Sequence, residues 1–337
     1  MSSARGMNLR RREGSEAVLL EKDVLDWKRR FDSSGGTFMG LDSPDYFPQH
    51  DVAILGIPLD MGTRPARIGS REGPNAIRTA SRMLGMRFGY LVERPGLTPF
   101  DPPIVADWGN VKVALGQIGS TYELIRDALA PVKDSGLIPV AMGGDGSVTL
   151  PQLRIAHEMY GDIAVLHLDA HTDAVGGTKE NPYTNATGFF RAQEEGLVTA
   201  DDVIHVGVRG TCPVPDTVEI ARDLGQQVIT GEDLRSQGLD GVADQVLAKL
   251  SNRNVFLSWD MDVFDPSAAP GVVTPEWGGI SPAEGIAFIR RLAPLDLRWF
   301  DINTVSPPHD INFQTSSLAA RMILEFLYLV SRRRQSL

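Results

Sequence analysis

The sequence predicts a single three-layer α/β domain, in which a parallel sheet carries helices on both faces. Short apolar runs alternate with amphipathic stretches along most of the chain, which is the pattern of repeated β-α-β units. The apolar runs lack polar alternation, as expected for strands that are buried on both faces. No internal repeat, long linker or low-complexity tract interrupts the pattern, so one domain accounts for most of the 337 residues.

Seven apolar runs are predicted to be strands, and seven amphipathic segments between and after them are predicted to be helices. The predicted strands span residues 52–57, 138–142, 163–168, 203–208, 227–229, 255–258 and 297–302. The predicted helices span residues 76–83, 120–133, 150–159, 188–195, 240–250, 282–292 and 315–331. Arg321 and Glu325 break the apolar stretch 318–330, which indicates an amphipathic helix packed on the domain.

The first 48 residues differ from the rest of the chain because they are charged, dotted with Gly and Ser, and only weakly periodic. They are predicted to form an N-terminal arm, with a short helix near residues 17–31, in front of a domain at residues 49–337. Arms of this kind either wrap a neighbouring subunit or are disordered, and the sequence favours neither.

Composition and charge exclude several classes of function. The net charge of −10, from 43 acidic and 33 basic residues, argues against nucleic acid as a partner; it suits a cationic substrate, although solubility alone also accounts for it. Residues 1–12 lack the apolar core of a secretory signal. The chain contains no run of 18 uncharged apolar residues, so neither a membrane span nor a membrane partner is predicted. The one cysteine, Cys212, cannot form an intramolecular disulfide, so a cytoplasmic location is expected; its loop-like setting does not favour a nucleophile.

Acidic residues and a histidine follow the predicted strand at residues 163–168. Asp169, His171 and Asp173 come directly after this run, and alternate side chains of an extended segment share a face. An unpaired carboxylate at the end of a buried strand is costly, and a divalent cation removes that cost. Asp and neutral His suit Mn, Fe, Ni or Zn, although such residues also cap helices. Of the other histidines, only His167 shares the strand face of Asp169, and the rest are expected to be structural.

A second acidic pair follows the predicted strand at residues 255–258. Asp260 and Asp262 are again two residues apart, whereas Asp265, which precedes Pro266, fits a turn. Because open parallel sheets place ligands at the carboxyl ends of their strands, the two acidic groups are expected to meet. One carboxylate from each strand could bridge two ions about 3.5–4 Å apart, and a water shared by these ions would become hydroxide near neutral pH.

Six motif regions, in this order, make the chain resemble the ureohydrolase family of arginases and agmatinases over about residues 50–330. The motifs are Gly56-Ile57-Pro58-Leu59-Asp60-Met61-Gly62 with Arg67, Gly69, Gly73-Pro74 and Ile77-Arg78; Gly143-Gly144-Asp145, Asp169-Ala170-His171-Thr172-Asp173 and Ser258-Trp259-Asp260-Met261-Asp262; Thr274-Pro275-Glu276-Trp277-Gly278-Gly279; and Ser306-Pro307-Pro308-His309-Asp310 with Leu318-Ala319-Ala320. The resemblance implies an arginase-like fold. It also implies hydrolysis of a guanidino or formimino C–N bond, typically with release of urea, over a dinuclear metal centre.

The resemblance further implies a role for each matching residue. The implied metal ligands are Asp169 and Asp260 as bridges to both ions, His171 and Asp262 at one site, and Asp173 at the other. Glu276 would pair with the cationic guanidinium of a small substrate, since a planar fork of N–H donors suits a carboxylate.

Three positions depart from the family pattern. Gly146 stands where the family has a metal-binding histidine, and the preceding Asp145 is expected to be structural rather than a substitute ligand. Asn185 stands where relatives carry a histidine that moves protons near the substrate, and an amide cannot titrate near pH 7. Thr304 stands where many agmatinases have glutamate. This chain is therefore expected to hold one weakly bound divalent ion, Ni or Mn, or none, against two in an active partner.

These departures lead to three hypotheses. The first, which we favour, is that the chain is the catalytically impaired subunit of a hetero-oligomeric guanidino-compound hydrolase. It would be similar to the metal-depleted subunit of the metformin hydrolase type, whose homologous active subunit carries two nickel ions; ureohydrolases usually form trimers and hexamers. The second is an active agmatinase- or guanidinobutyrase-like enzyme with an altered or mononuclear site. The third is a guanidinium-binding protein without catalysis.

Overall fold

A central sheet of nine strands organises the computed structural model, which describes residues 29–41, 51–63, 65–87 and 105–335. The strands are β1 (Phe31–Asp32), β2 (Val52–Ile57), β3 (Val105–Val111), β4 (Ile138–Gly143), β5 (Ile163–Leu168), β6 (Val203–Val208), β7 (Gln227–Thr230), β8 (Asn254–Asp260) and β9 (Asp296–Asn303). Their order across the sheet is β1-β3-β2-β4-β9-β8-β5-β6-β7. The pairing is parallel throughout, except that β1 runs antiparallel to β3.

Helices cover both faces of this sheet. They are α1 (Gly73–Arg87), α2 (Ile118–Ser135), α3 (Thr149–Tyr160), α4 (Gly188–Glu194), α5 (Thr217–Asp223), α6 (Gly231–Leu250), α7 (Pro282–Arg291) and α8 (Gln314–Gln335). Apolar side chains of α1, α6, α7 and α8 form a core on one face, and those of α2 to α5 form a core on the other. Neighbouring residues of β2 divide between the two cores, with Ile54 in the first and Leu55 in the second. The predicted three-layer α/β fold is confirmed.

All seven predicted strands are present, but the sequence pattern missed other elements. Asp107, Gly109 and Asn110 interrupt the apolar pattern of β3, which is nevertheless a buried strand. The helix α6 is broken at Gly238, whose positive φ of 73° is not helical; the predicted helix at residues 240–250 matches the part after the break, and the part that begins at Gly231 was missed. The helix α8 packs on the domain as predicted. Among the described helices, none is long and apolar enough to cross a membrane.

Part of the predicted N-terminal arm is integral to the sheet. Phe31 of β1 pairs with Val111 of β3, and the fully buried Phe38 donates its main-chain N–H to Oδ2 of Asp107 at 2.7 Å. Residues 29–41 therefore pack as part of the folded domain. The remaining segments of the arm, 1–28 and 42–48, lie outside the described residues together with most of the helix expected near residues 17–31. A boundary at residue 48 stays a prediction.

A buried ion pair joins these N-terminal residues to the sheet and to α1. The guanidinium of Arg78 donates to both carboxylate oxygens of Asp107, at 2.8 and 2.9 Å, and also donates to Asn110. The side chains of Arg78 and Asp107 are only 1% and 0% exposed. Because each charge is removed from water, each depends on the other for its solvation.

We expect Asp107→Asn to lower the free energy of unfolding by about 3–5 kcal/mol, because the substitution leaves the Arg78 cation buried without a counter-charge. Urea denaturation followed by circular dichroism measures the change. Glu123→Gln is the matched control, since its ion pair with Arg126 is more than half exposed and should contribute about 1 kcal/mol or less. Equal effects of the two substitutions would contradict this account of the buried pair.

Candidate metal centre

The predicted site residues lie at the carboxyl ends of four adjacent parallel strands. Gly146 follows β4, Thr304 follows β9, Asp260 ends β8 and Asp169 follows β5. These strands are neighbours in the order β4-β9-β8-β5, so their carboxyl ends share one edge of the sheet. We call the depression at this edge the cleft.

Three of the predicted ligands converge in the cleft. The Nδ1 atom of His171 lies 3.1 Å from Oδ1 of Asp169 and 3.1 Å from Oδ2 of Asp262. Atoms that share one metal ion at about 2.1 Å lie roughly 3.0–3.5 Å apart. One nitrogen and two carboxylate oxygens also form a donor set that suits Mn, Fe, Ni or Zn. The residues therefore fit a divalent ion, and the arrangement does not select among these metals.

Turns, rather than extended backbone, bring these side chains together. The N–H of His171 donates to Oδ1 of Asp169 at 2.5 Å, and the N–H of Asp262 donates to Oδ1 of Asp260 at 2.7 Å. Each strand thus ends in a tight turn that its own aspartate closes. The sequence analysis explained the convergence of Asp169 and His171 by an extended segment, in which alternate side chains share a face. That explanation was wrong, because β5 ends at Leu168.

The charges of the cleft are strongly perturbed. Burial and the neighbouring Asp262 raise the pKa of Asp169 to about 8, and burial with nearby carboxylates raises the pKa values of Asp173 and Asp260. Burial also opposes ionisation of Asp262, but His171 outweighs it and lowers the pKa of Asp262 to about 2. Burial disfavours a charged His171, yet Asp262 and Asp169 raise its pKa. A cluster of this kind binds positive charge, whether as protons or as a metal ion.

Asp260 occupies a different position from the other acids. Its Oδ1 accepts hydrogen bonds from the N–H of Asp262 and from the hydroxyl of Thr304. Within the described ranges, it is not part of the ligand group formed by Asp169, His171 and Asp262. The bridging role implied for Asp260 stays a prediction. Thr304, whose family counterpart is often glutamate, instead orients this carboxylate from a strained backbone with a φ of 67°.

The two missing imidazoles would occupy the same wall of the cleft. A Cβ atom on Gly146 would lie 3.0 Å from Oδ2 of Asp173, so a side chain at this position would project toward that carboxylate. It would also lie 3.0 Å from the carbonyl oxygen of Asn185 and 3.6 Å from its Cβ. The departures at positions 146 and 185 are therefore neighbours in space. Glycine at position 146 supplies no nitrogen donor toward Asp173, and the amide at position 185 cannot titrate near pH 7.

Asp145, next to this wall, has the structural role that the sequence predicts. Its Oδ1 accepts from the N–H of Ser147 at 3.0 Å and from the hydroxyl of the same residue, which caps the turn that leads into α3. Burial raises its pKa to about 6, against the opposing effect of the Ser147 hydrogen bonds.

Glu276 lies on the rim of the cleft, in a loop that Arg209 holds in place. Its Oε1 accepts from the hydroxyl of Thr211 at 2.8 Å. The guanidinium of Arg209 donates to five main-chain carbonyls, which belong to Gly207, Asp262, Phe264, Glu276 and Trp277. Sequence reasoning missed Arg209. The sequence could have indicated it, because Arg209 directly follows β6 just as Asp169 directly follows β5, and ligands bind at the carboxyl ends of parallel strands.

His167 supports the cleft from behind. Its Nε2 lies 2.9 Å from Oδ2 of Asp169, and its Nδ1 lies 2.9 Å from Nδ1 of His205. Both imidazoles are at most 2% exposed, and burial lowers the pKa of each to about 3, so both are neutral. The sequence singled out His167 by its shared face with Asp169 but gave no reason to connect it with His205.

Comparison with known proteins places this architecture in a family. A model of the Arginase family matches residues 50–328. The human mitochondrial guanidino acid hydrolase is 34% identical over 277 residues, which cover 82% of this chain and 77% of that protein. Guanidinobutyrase from Pseudomonas aeruginosa is 33% identical over 292 residues, covering 85% of this chain and 88% of its own.

A solved structure gives the same result. Proclavaminate amidino hydrolase from Streptomyces clavuligerus superposes with a TM-score of 0.81 and 34% sequence identity, over 88% of this chain and 97% of that one. The match to the family model extends from β2 into α8 and includes every predicted ligand. The chain belongs to the arginase family of ureohydrolases.

Proposed function

We propose that this chain is the catalytically impaired subunit of a hetero-oligomeric guanidino-compound hydrolase, in which a homologous active subunit carries the dinuclear metal centre. The wall formed by Gly146 and Asn185 carries the proposal. A side chain at position 146 would aim at Asp173, and glycine supplies no donor there. In its pattern of losses, this chain is similar to the metal-depleted subunit of the metformin hydrolase type.

The loss at Asn185 acts on proton transfer rather than on metal binding. An amide donates and accepts hydrogen bonds, but it cannot take up and release a proton near pH 7. Removing a positioned general acid or base typically costs on the order of 10²–10⁴ in rate. Together with a depleted second metal position, this loss is large enough to make independent turnover slow.

The remaining donors support binding of at most one ion in the part of the cleft nearest β8. Asp169, His171 and Asp262 would hold this ion, which would act as a Lewis acid toward a bound water or substrate. Glu276 on the rim would pair with a guanidinium. An intact rim beside an incomplete centre is compatible with a subunit that keeps the family shape for assembly. The cytoplasmic location expected from the lone cysteine stays part of this proposal.

One observation favours a second candidate function, an active agmatinase- or guanidinobutyrase-like hydrolase with a mononuclear site. The ligand group of Asp169, His171 and Asp262 has the spacing of a complete half-site. In that case the lone chain would release urea with one ion bound per chain.

The two candidates differ in the activity of the lone chain. We expect the purified chain, supplied with Mn²⁺ or Ni²⁺, to hydrolyse metformin and 4-guanidinobutyrate with a kcat/KM at least about 10²-fold below that of its complex with a homologous subunit that has an intact Gly-Gly-Asp-His motif. Urea release measures the rates, and the homologous subunit alone is the control. Full activity of the lone chain would overturn the proposal in favour of the mononuclear enzyme.

Restoring the histidine tests the metal deficit directly. We expect Gly146→His to raise affinity for Ni²⁺ by about 10-fold or more, since an imidazole at this position faces Asp173. Gly146→Ala is the matched control, because it adds the same Cβ without a donor. Calorimetric titration of chelator-treated protein measures affinity, and thermal unfolding checks that each variant is folded. If folded Gly146→His bound no more tightly than Gly146→Ala, the deficit would not lie at this position.

A further inference from the structure

Three consecutive residues after β6 hold Glu276 of the rim on different sides. Arg209 donates from Nη2 to the main-chain carbonyl of Glu276 at 2.7 Å. The hydroxyl of Thr211 donates to Oε1 of the Glu276 carboxylate at 2.8 Å. Gly210, which lies between them in the sequence, packs directly against the same carboxylate. We call residues 209–211 the cradle.

The glycine at position 210 allows the carboxylate to lie this close. Gly210 has a φ of 77°, in the left-handed region that favours glycine. A Cβ atom at this position would lie 2.1 Å from Oε2 and 2.4 Å from Cδ of Glu276. Any side chain at position 210 would therefore push the carboxylate out of its place, so the backbone of the cradle and the position of Glu276 are fitted to each other.

The cradle also ties Glu276 to the metal centre. The Nη2 atom of Arg209 donates to the main-chain carbonyl of Asp262 at 2.8 Å as well as to that of Glu276. Two carbonyls that share one nitrogen are neighbours, and the side chain of Asp262 belongs to the ligand group. One guanidinium therefore connects the loop of the rim carboxylate to the turn that carries a predicted ligand.

The hydrogen bonds of Glu276 leave part of its carboxylate open to a ligand. Oε1 accepts one bond, from Thr211, and within the part of the chain that the structure describes no donor bonds to Oε2. Both oxygens therefore retain acceptor capacity, while Thr211 and Gly210 restrict rotation of the carboxylate. A guanidinium fork needs both oxygens in its own plane, so it gains from this restriction. A primary ammonium is a compact charge with rotatable donors and has no such requirement.

We propose that Gly210 and Thr211 are positioning residues, which orient Glu276 for a planar guanidinium and so set a preference for guanidino compounds over primary amines. The inference deepens the proposed function and rests on it for the guanidino class of ligand. The contacts that produce the preference involve no side chain of a metal ligand. A chain that turns over slowly would therefore still distinguish ligands by the shape of their cationic group.

The test compares 4-guanidinobutyrate with 4-aminobutyrate, which differ in the cationic group and share the rest of the molecule. Calorimetric titration of the full, chelator-treated chain measures both affinities, so that hydrolysis does not consume the ligand. We expect the wild type to bind the guanidino compound about 10-fold more tightly than the amine. Thr211→Val keeps the shape of the side chain and removes the donor, so this preference should fall to about 2-fold or less.

Three further variants serve as rescue, second test and control. Thr211→Ser retains the hydroxyl, so its preference should match that of the wild type. Gly210→Ala should lose the preference as Thr211→Val does, because its Cβ displaces the carboxylate. Thr79→Val is the matched control, since the hydroxyl of this exposed threonine of α1 donates to the carbonyl of Asn75 at 2.9 Å; both affinities should stay unchanged. Thermal unfolding checks that each variant is folded.

A purely structural role of the cradle would weaken binding of both compounds equally. An unchanged ratio of the two affinities in Thr211→Val would therefore overturn the inference, and so would a wild type that binds both compounds equally or binds neither. If Gly210→Ala does not fold, the comparison of Thr211→Val with Thr211→Ser decides alone. The ratio is measured without urea release, so full activity of the lone chain would overturn the impaired-subunit proposal and leave this inference standing, and the reverse also holds.

Discussion

The structure is arranged around the cost of burying negative charge at the carboxyl edge of a parallel sheet. Asp169, Asp173, Asp260 and Asp262 lie together there, and removing several carboxylates from water is unfavourable unless positive charge or N–H donors compensate them. Turns that aspartates close, the imidazole of His171 and the hydroxyl of Thr304 supply part of that compensation. Protons or a bound cation can supply the remainder, so this edge is a candidate centre for metals rather than an ordinary part of the core.

How much of this could be read from the sequence depended on the range of the interactions. Strands buried on both faces leave a local apolar pattern, so the three-layer fold and the ends of β5 and β8 were predictable. The strand β3 was not, because the buried Asp107 in its interior has its counter-charge in Arg78, which is 29 residues away along the chain. Convergence of Asp169, His171 and Asp262 followed from parallel topology, while the turns that produce it did not.

The same limit explains what was missed in the cleft. The contact of His205 with His167 depends on the registry of β6 against β5. No local motif encodes such a contact. The departures at Gly146 and Asn185 were visible as two separate substitutions, 39 positions apart in the printed sequence. Only the fold makes them one wall, so that they act as a single change in the chemistry of the cleft.

The hydrogen bonds of Arg209 affect how a ligand can bind at the rim of the cleft. A guanidinium tied to five carbonyls fixes the segment around Phe264, Glu276 and Trp277 to the end of β6. Such a rim loses little conformational entropy when something docks on it, since its shape is already set. The held main chain also carries Trp277, whose side chain is 74% exposed, at the entrance. A ligand that docks there meets a backbone whose shape does not depend on the metal content beneath it.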